Sequence, residues 1–136
     1  MAFEAVIIEL LGNGGDPINY TVADGITIEK GTILELEDER TCKKVSGAGV
    51  VIAGIASAEK VANDGSTTLA VYTNGIFDLS VLTSSGSATL GSYVRSGGAT
   101  NAITVATTLD DETGKAIGKA LATGSADESI AVRVLL

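Results

Sequence analysis

Apolar and polar residues alternate over short stretches along nearly the whole chain, and no helical spacing of apolar positions lasts beyond about one turn. The pattern is that of β-strands. It is clearest near the end, where Ile130, Val132, Val134 and Leu136 alternate with Ala131, Arg133 and Leu135. Leu69, Val71 and Thr73 likewise stand opposite Thr68, Ala70 and Tyr72. Further strands are expected at residues 5–11, 18–22, 26–28, 33–36, 50–56, 93–95, 102–106 and 116–121. Asp24-Gly25, Lys30-Gly31, Asp64-Gly65 and Asn74-Gly75 supply the turn chemistry between them, because these dipeptides tolerate positive φ. Residues 64–79 therefore predict a β-hairpin core with a turn at each end of its first strand. Residues 37–44 read as a charged loop, 57–63 as at most one helical turn, and 83–87 as a serine-rich connector. Short strands at such regular spacing predict an all-β sandwich or barrel.

The pattern also recurs. Gly31-Thr32-Ile33-Leu34 is echoed about 60 residues later by Gly91-Ser92-Tyr93-Val94, Gly54-Ile55-Ala56 by Gly118-Lys119-Ala120, and Leu69-Ala70-Val71-Tyr72 by Ile130-Ala131-Val132-Arg133. Two pseudo-repeated β-units, about 26–80 and 88–136, are expected to pack face to face inside one β domain spanning 17–136. Ahead of it, residues 1–16 separate as an apolar N-terminal arm and a glycine hinge, Gly12-Asn13-Gly14-Gly15.

Composition narrows what such a domain does. The 136 residues fit one domain, and the apolar 45% is mostly small side chains with only 4% aromatic residues. A core of alanine and valine gains little per side chain, so partner subunits are a natural source of further stability. The net charge of −8 opposes any surface laid along a phosphate backbone, so nucleic acid is not an expected partner. Glu4 and Glu9 interrupt the first apolar run, no stretch approaches about 20 apolar residues, and neither a targeting signal nor a membrane partner is expected.

Candidate chemistry is sparse. Without histidine there is no Ser-His-Asp or Cys-His arrangement. Cys42 beside Lys43 and Lys44 is either a thiol with a lowered pKa or an incidental residue of the charged loop. Glu35, Glu37, Asp38 and Glu39, and again Asp110, Asp111 and Glu112, lack the spacing of a calcium loop and read as solvated acidic turns. The glycine-rich stretches lack a following lysine and a strand-loop-helix frame, so they read as loops. No catalytic residue, metal ligand or cofactor is expected.

Four segments carry a resemblance: ADGITIEKGTILEL (23–36), VVIAGIASAEK (50–60), STTLAVYTNGIFDL (66–79) and AIGKALATGSADESIAVRVLL (116–136). In this order they resemble the head-decoration, or capsid cement, proteins of tailed bacteriophages. The resemblance implies a compact β-barrel or β-tulip domain, made in the host cytoplasm and bound to the outer surface of the virion. It implies the major capsid protein as partner, self-association as a homotrimer on the shell, and stabilisation of that shell without catalysis. The Cys42-Lys43-Lys44 loop departs from the pattern. With it, the arm becomes the candidate capsid contact through Phe3, Val6, Ile7, Ile8, Leu10 and Leu11, by adding a strand to an exposed edge. The same arm also reads as an ordinary strand of its own domain. A β-sandwich module binding a ligand or a surface, with no capsid role, is the alternative function.

Overall fold

A computed structural model describes residues 4–9, 16–83, 86–107 and 113–136. All regular structure among them is β: β1 (Val6–Glu9), β2 (Ile18–Thr21), β3 (Ile33–Asp38), β4 (Thr41–Lys44), β5 (Ile52–Ala56), β6 (Thr68–Tyr72), β7 (Asn74–Ser80), β8 (Ser87–Ala88), β9 (Tyr93–Ser96), β10 (Ile103–Val105), β11 (Ala116–Ala120), β12 (Gly124–Ser125) and β13 (Ser129–Leu135). The fold is an all-β, barrel-containing domain, as the alternation predicts.

Two units share one topology. The first closes as a five-stranded barrel, β2-β4-β3-β5-β6, and the second forms a sheet ordered β1-β7-β13-β11-β9-β10. Leaving β1 aside, β4-β3-β5-β6-β2 and β10-β9-β11-β13-β7 are the same order of corresponding strands. The registers agree residue by residue. Ile33 pairs Ile55 where Tyr93 pairs Lys119, and the ladders β3–β5 and β9–β11 slip at corresponding positions, beside Gly54 and Gly118. Ile18 pairs Val71 where Phe77 pairs Val132. Thr21 meets Thr41 in parallel to close the first barrel, and Val81 meets Ile103 in parallel in the second unit. The turns correspond too: Gly31 (φ 85) and Gly91 (φ 84), and Asn63 (φ 61) and Asp127 (φ 69).

The three echoes seen in the sequence fall on these corresponding positions. The division, however, lies at Thr73, so that Asn74–Ser80 opens the second unit instead of ending the first. Asn74 and Gly75 are strand residues paired with Leu135 and Val134, and β6 and β7 are not partners in either sheet. The chain crosses from one unit to the other where a hairpin turn was expected. Residues 37–44 are also not a loop: they turn at Arg40 (φ 45) and return as β4. Cys42, only 1% exposed, is the inward residue of that strand, and the charges on either side of it disguise its alternation. Instead of a helical turn, residues 57–63 contribute the single bridge Ile28–Lys60.

Each unit has its own filling. Val22, Leu34, Cys42 and Val71 lie inside the barrel of the first unit, and the corresponding Val81, Val94, Ile103 and Val132 lie in the core of the second unit. The units do not meet face to face. One outer face of the first, built from Ile33, Val45, Ile52 and Ile55, joins the core of the second, covering the end where β7 begins and β13 finishes. Tyr72 rests on Phe77 with ring centroids 5.9 Å apart. Asn101, in the β9–β10 connection, reaches across: its side chain accepts from the Ile33 amide at 2.6 Å and donates to the Gly31 carbonyl at 3.2 Å. Such packing buries apolar surface that neither small unit covers alone.

Candidate interaction surface

The N-terminal strand is laid on its own domain. Val6 pairs Asp78 and Ile7 pairs Phe77, while the Ala5 amide donates to the Gly31 carbonyl at 3.0 Å. Gly31 is required there, since a Cβ would stand 2.8 Å from the backbone of Ala5. Alternation then splits two candidate contacts: Ile7 turns in against the core, and Val6 turns out, 57% exposed. Phe3, Leu10 and Leu11 lie outside the described residues, as does the side chain of Ile8. Among the described residues no strand covers the far side of β1, so it is an open sheet edge.

Beside that edge runs the outward face of the second unit. Tyr93 and Lys119 are exposed there, Arg133 is half-buried, and Leu135 is 66% exposed. At the junction with the first unit an open groove of about 530 Å³ is lined by Leu36, Val51, Tyr93, Ala116, Leu135 and Leu136. Exposed leucine, valine and tyrosine collected in one place suit a macromolecular partner better than isolated surface apolar residues do. Arg133 is held in position by donating to the Asn74 side chain and, at 2.8 Å, to the Val134 carbonyl.

Glu35, Glu37, Lys43 and Lys60 are occupied by structural tasks. Glu35 is buried, accepting from the Ser46 hydroxyl at 3.0 Å and pairing with Lys43 at 3.4 Å. Glu37, on the other side of Lys43, raises that ammonium's pKa, with Glu35 adding to the effect. The Cys42 thiol is pushed up to about 11, first by burial and then by the charge of Glu37, which removes the reactive reading. Lys60, whose side chain is 1% exposed, donates to the Asp24 carbonyl (2.9 Å), the Val61 carbonyl (2.9 Å) and Asp64 (2.8 Å). Burial pulls its pKa down, yet the hydrogen bonds and charges of Asp64 and Asp24 leave it raised overall. It is an ammonium pinning two turns together. Asp110, Asp111 and Glu112 lie outside the described residues, and among the described residues no acidic, cysteine or histidine group gathers around a metal position.

Sequence reasoning missed Leu36, Tyr93 and Lys119 as surface residues. The signal was available: Tyr93 and Lys119 occupy the repeat positions of Ile33 and Ile55, so one member of each pair was bound to differ in burial. Comparison of the chain with protein-family models and with curated proteins finds no match.

Proposed function

We propose that this chain is a structural protein that binds the outside of a tailed-phage capsid and cements it, with the major capsid protein as partner. The observation that carries the reading is the open edge of β1 with Val6 exposed on it, together with a separate apolar groove at the junction of the two units. Strand addition to such an edge supplies backbone hydrogen bonds, while Val6 and the groove supply apolar contact. The acidic balance suits a position outside the shell, away from the packaged genome. Many copies on one lattice make modest single contacts sufficient through avidity. On this reading β1 contributes to capsid binding from the place it occupies in its own sheet, and no arm has to be ordered at binding. The experiment is occupancy on capsids built from the cognate major capsid protein, comparing wild type with Val6→Asp. The substitution is at an exposed site, so the fold should be kept while occupancy falls at least tenfold.

A further inference from the structure

The outward face of the second unit sets two positive charges side by side. Lys119 on β11 pairs directly with Arg133 on β13, in the row that Tyr93 begins on β9, and Lys119 is exposed. Among the described residues neither has a carboxylate within ion-pair distance, although the chain carries seventeen acidic residues against nine basic ones. Asp78 stands opposite Ala131, a diagonal step from Arg133, and makes no ion pair with it. Like charges directly opposite each other destabilise a sheet. The pair is therefore a cost that nothing else on this face offsets.

Arg133 is also aimed. Its Nη1 donates to the Asn74 side chain and, at 2.8 Å, to the Val134 carbonyl. The guanidinium is thereby fixed, and its Nε and Nη2 edge has no acceptor among the described residues. Such an edge receives a carboxylate in forked geometry. Apolar side chains lie on both sides of the charged row. Two residues beyond Arg133 is Leu135, 66% exposed and part of the groove lining. Two residues beyond Lys119 is Leu121, 41% exposed, whose amide donates to the Ala131 carbonyl. Because β11 and β13 run antiparallel, the two leucines fall on opposite sides of the row. Apolar, cationic and apolar bands thus follow one another at about 7 Å, the two-residue repeat of an extended chain.

From this we infer that the face binds an extended segment of another protein, in which an acidic residue has an apolar residue two positions away on each side. The carboxylate accepts from Lys119 and from the free edge of Arg133. The apolar side chains cover Leu121 at one end and Leu135 with the groove at the other. A long polyanion such as nucleic acid meets the net charge of −8, whereas one carboxylate between apolar residues meets only the local pair. The surface is separated from the β1 edge by β7, so it is a second contact beyond the proposed function and does not rest on it.

The test is an NMR titration of the free protein with the end-blocked peptide Leu-Ser-Glu-Ser-Leu and with its glutamine analogue. The expected result is amide shifts confined to β11, β13 and the groove, with the analogue binding at least tenfold more weakly. Lys119→Gln should weaken binding of the glutamate peptide about tenfold with the fold kept. Lys119→Glu should abolish it and also raise the thermal unfolding midpoint by about 2 °C, because the new carboxylate pairs with Arg133. No shifts, equal binding of the two peptides, or a Lys119→Glu protein that binds as wild type or unfolds at a lower temperature overturns the inference. So do shifts of the same face with protein concentration alone, which mark a second copy as its occupant, or with a DNA oligonucleotide. Capsid decoration is a separate readout: wild type that decorates heads but ignores the peptide refutes this inference and leaves the capsid reading standing.

Discussion

Two glycines show most directly how the sequence dictates contacts. A Cβ on Gly54 would run into the Tyr72 carbonyl oxygen, and one on Gly118 into that of Arg133, the corresponding residue of the other unit. Both close approaches are between backbones, so relief requires a strand to move. Gly54→Ala and Gly118→Ala should each cost about 3 kcal/mol, measured by urea unfolding; a loss under about 0.5 kcal/mol for either would contradict the close approach. Lys60 and Asp64 make a second residue-scale prediction. The Lys60 hydrogen bond, followed by that from the Ser66 amide, holds the Asp64 carboxyl below its ordinary value of 3.8. A carboxyl lowered in the folded state takes up its proton more readily when unfolded. Its stabilisation is thus full above about pH 4 and fades as pH falls through the folded value. Asp64→Asn should flatten the decline of the unfolding midpoint between about pH 5 and 2.5; an unchanged slope would show that Asp64 does not contribute. The turn at Asp64-Gly65 was legible from the dipeptide, but the buried ammonium was not. Nothing in a lone lysine among polar neighbours reveals that Asp24, 36 positions earlier, folds over it.

At the scale of elements, alternation located most strands and failed where charge or turn chemistry misled it. Thr41–Lys44 was hidden because Arg40 on one side and Lys43 and Lys44 on the other surround the inward Cys42 with charge, and the cross-strand partner Glu35 that makes Lys43 tolerable lies on another strand. Asn74-Gly75 carries hairpin chemistry, yet the Arg133 side chain and the ladder with β13 hold it extended. The strand β1 was read both as an arm and as part of the domain, since an apolar run with one open edge suits either. In the structure Ile7 lies on the core and β1 covers β7 from Ile76 to Asp78. Removing residues 1–9 should therefore lower stability in the free protein by about 2 kcal/mol. Thermal unfolding checks this, and an unaltered midpoint would mean that β1 is not part of the isolated domain.

For the whole molecule, the repeat was the most informative thing in the sequence and also the least secure, because glycine, alanine and valine recur in any simple β-sequence. Strand order, register, the slip beside Gly54 and Gly118 and the paired interior residues turn the echoes into a tandem of like units. The sequence did not reveal where the units divide or how they pack, since both depend on which of two similar outer faces is covered. Among the described residues, the edge of β1, the apolar groove and the face around Lys119 are uncovered.

The capsid reading is tested most directly by mixing purified protein with capsids from the cognate major capsid protein, pelleting them, and quantifying bound copies for wild type and Val6→Asp. Saturable decoration by wild type, reduced at least tenfold in the variant with its thermal unfolding unchanged, is the predicted result. No wild-type decoration, or equal decoration by both proteins, would contradict it.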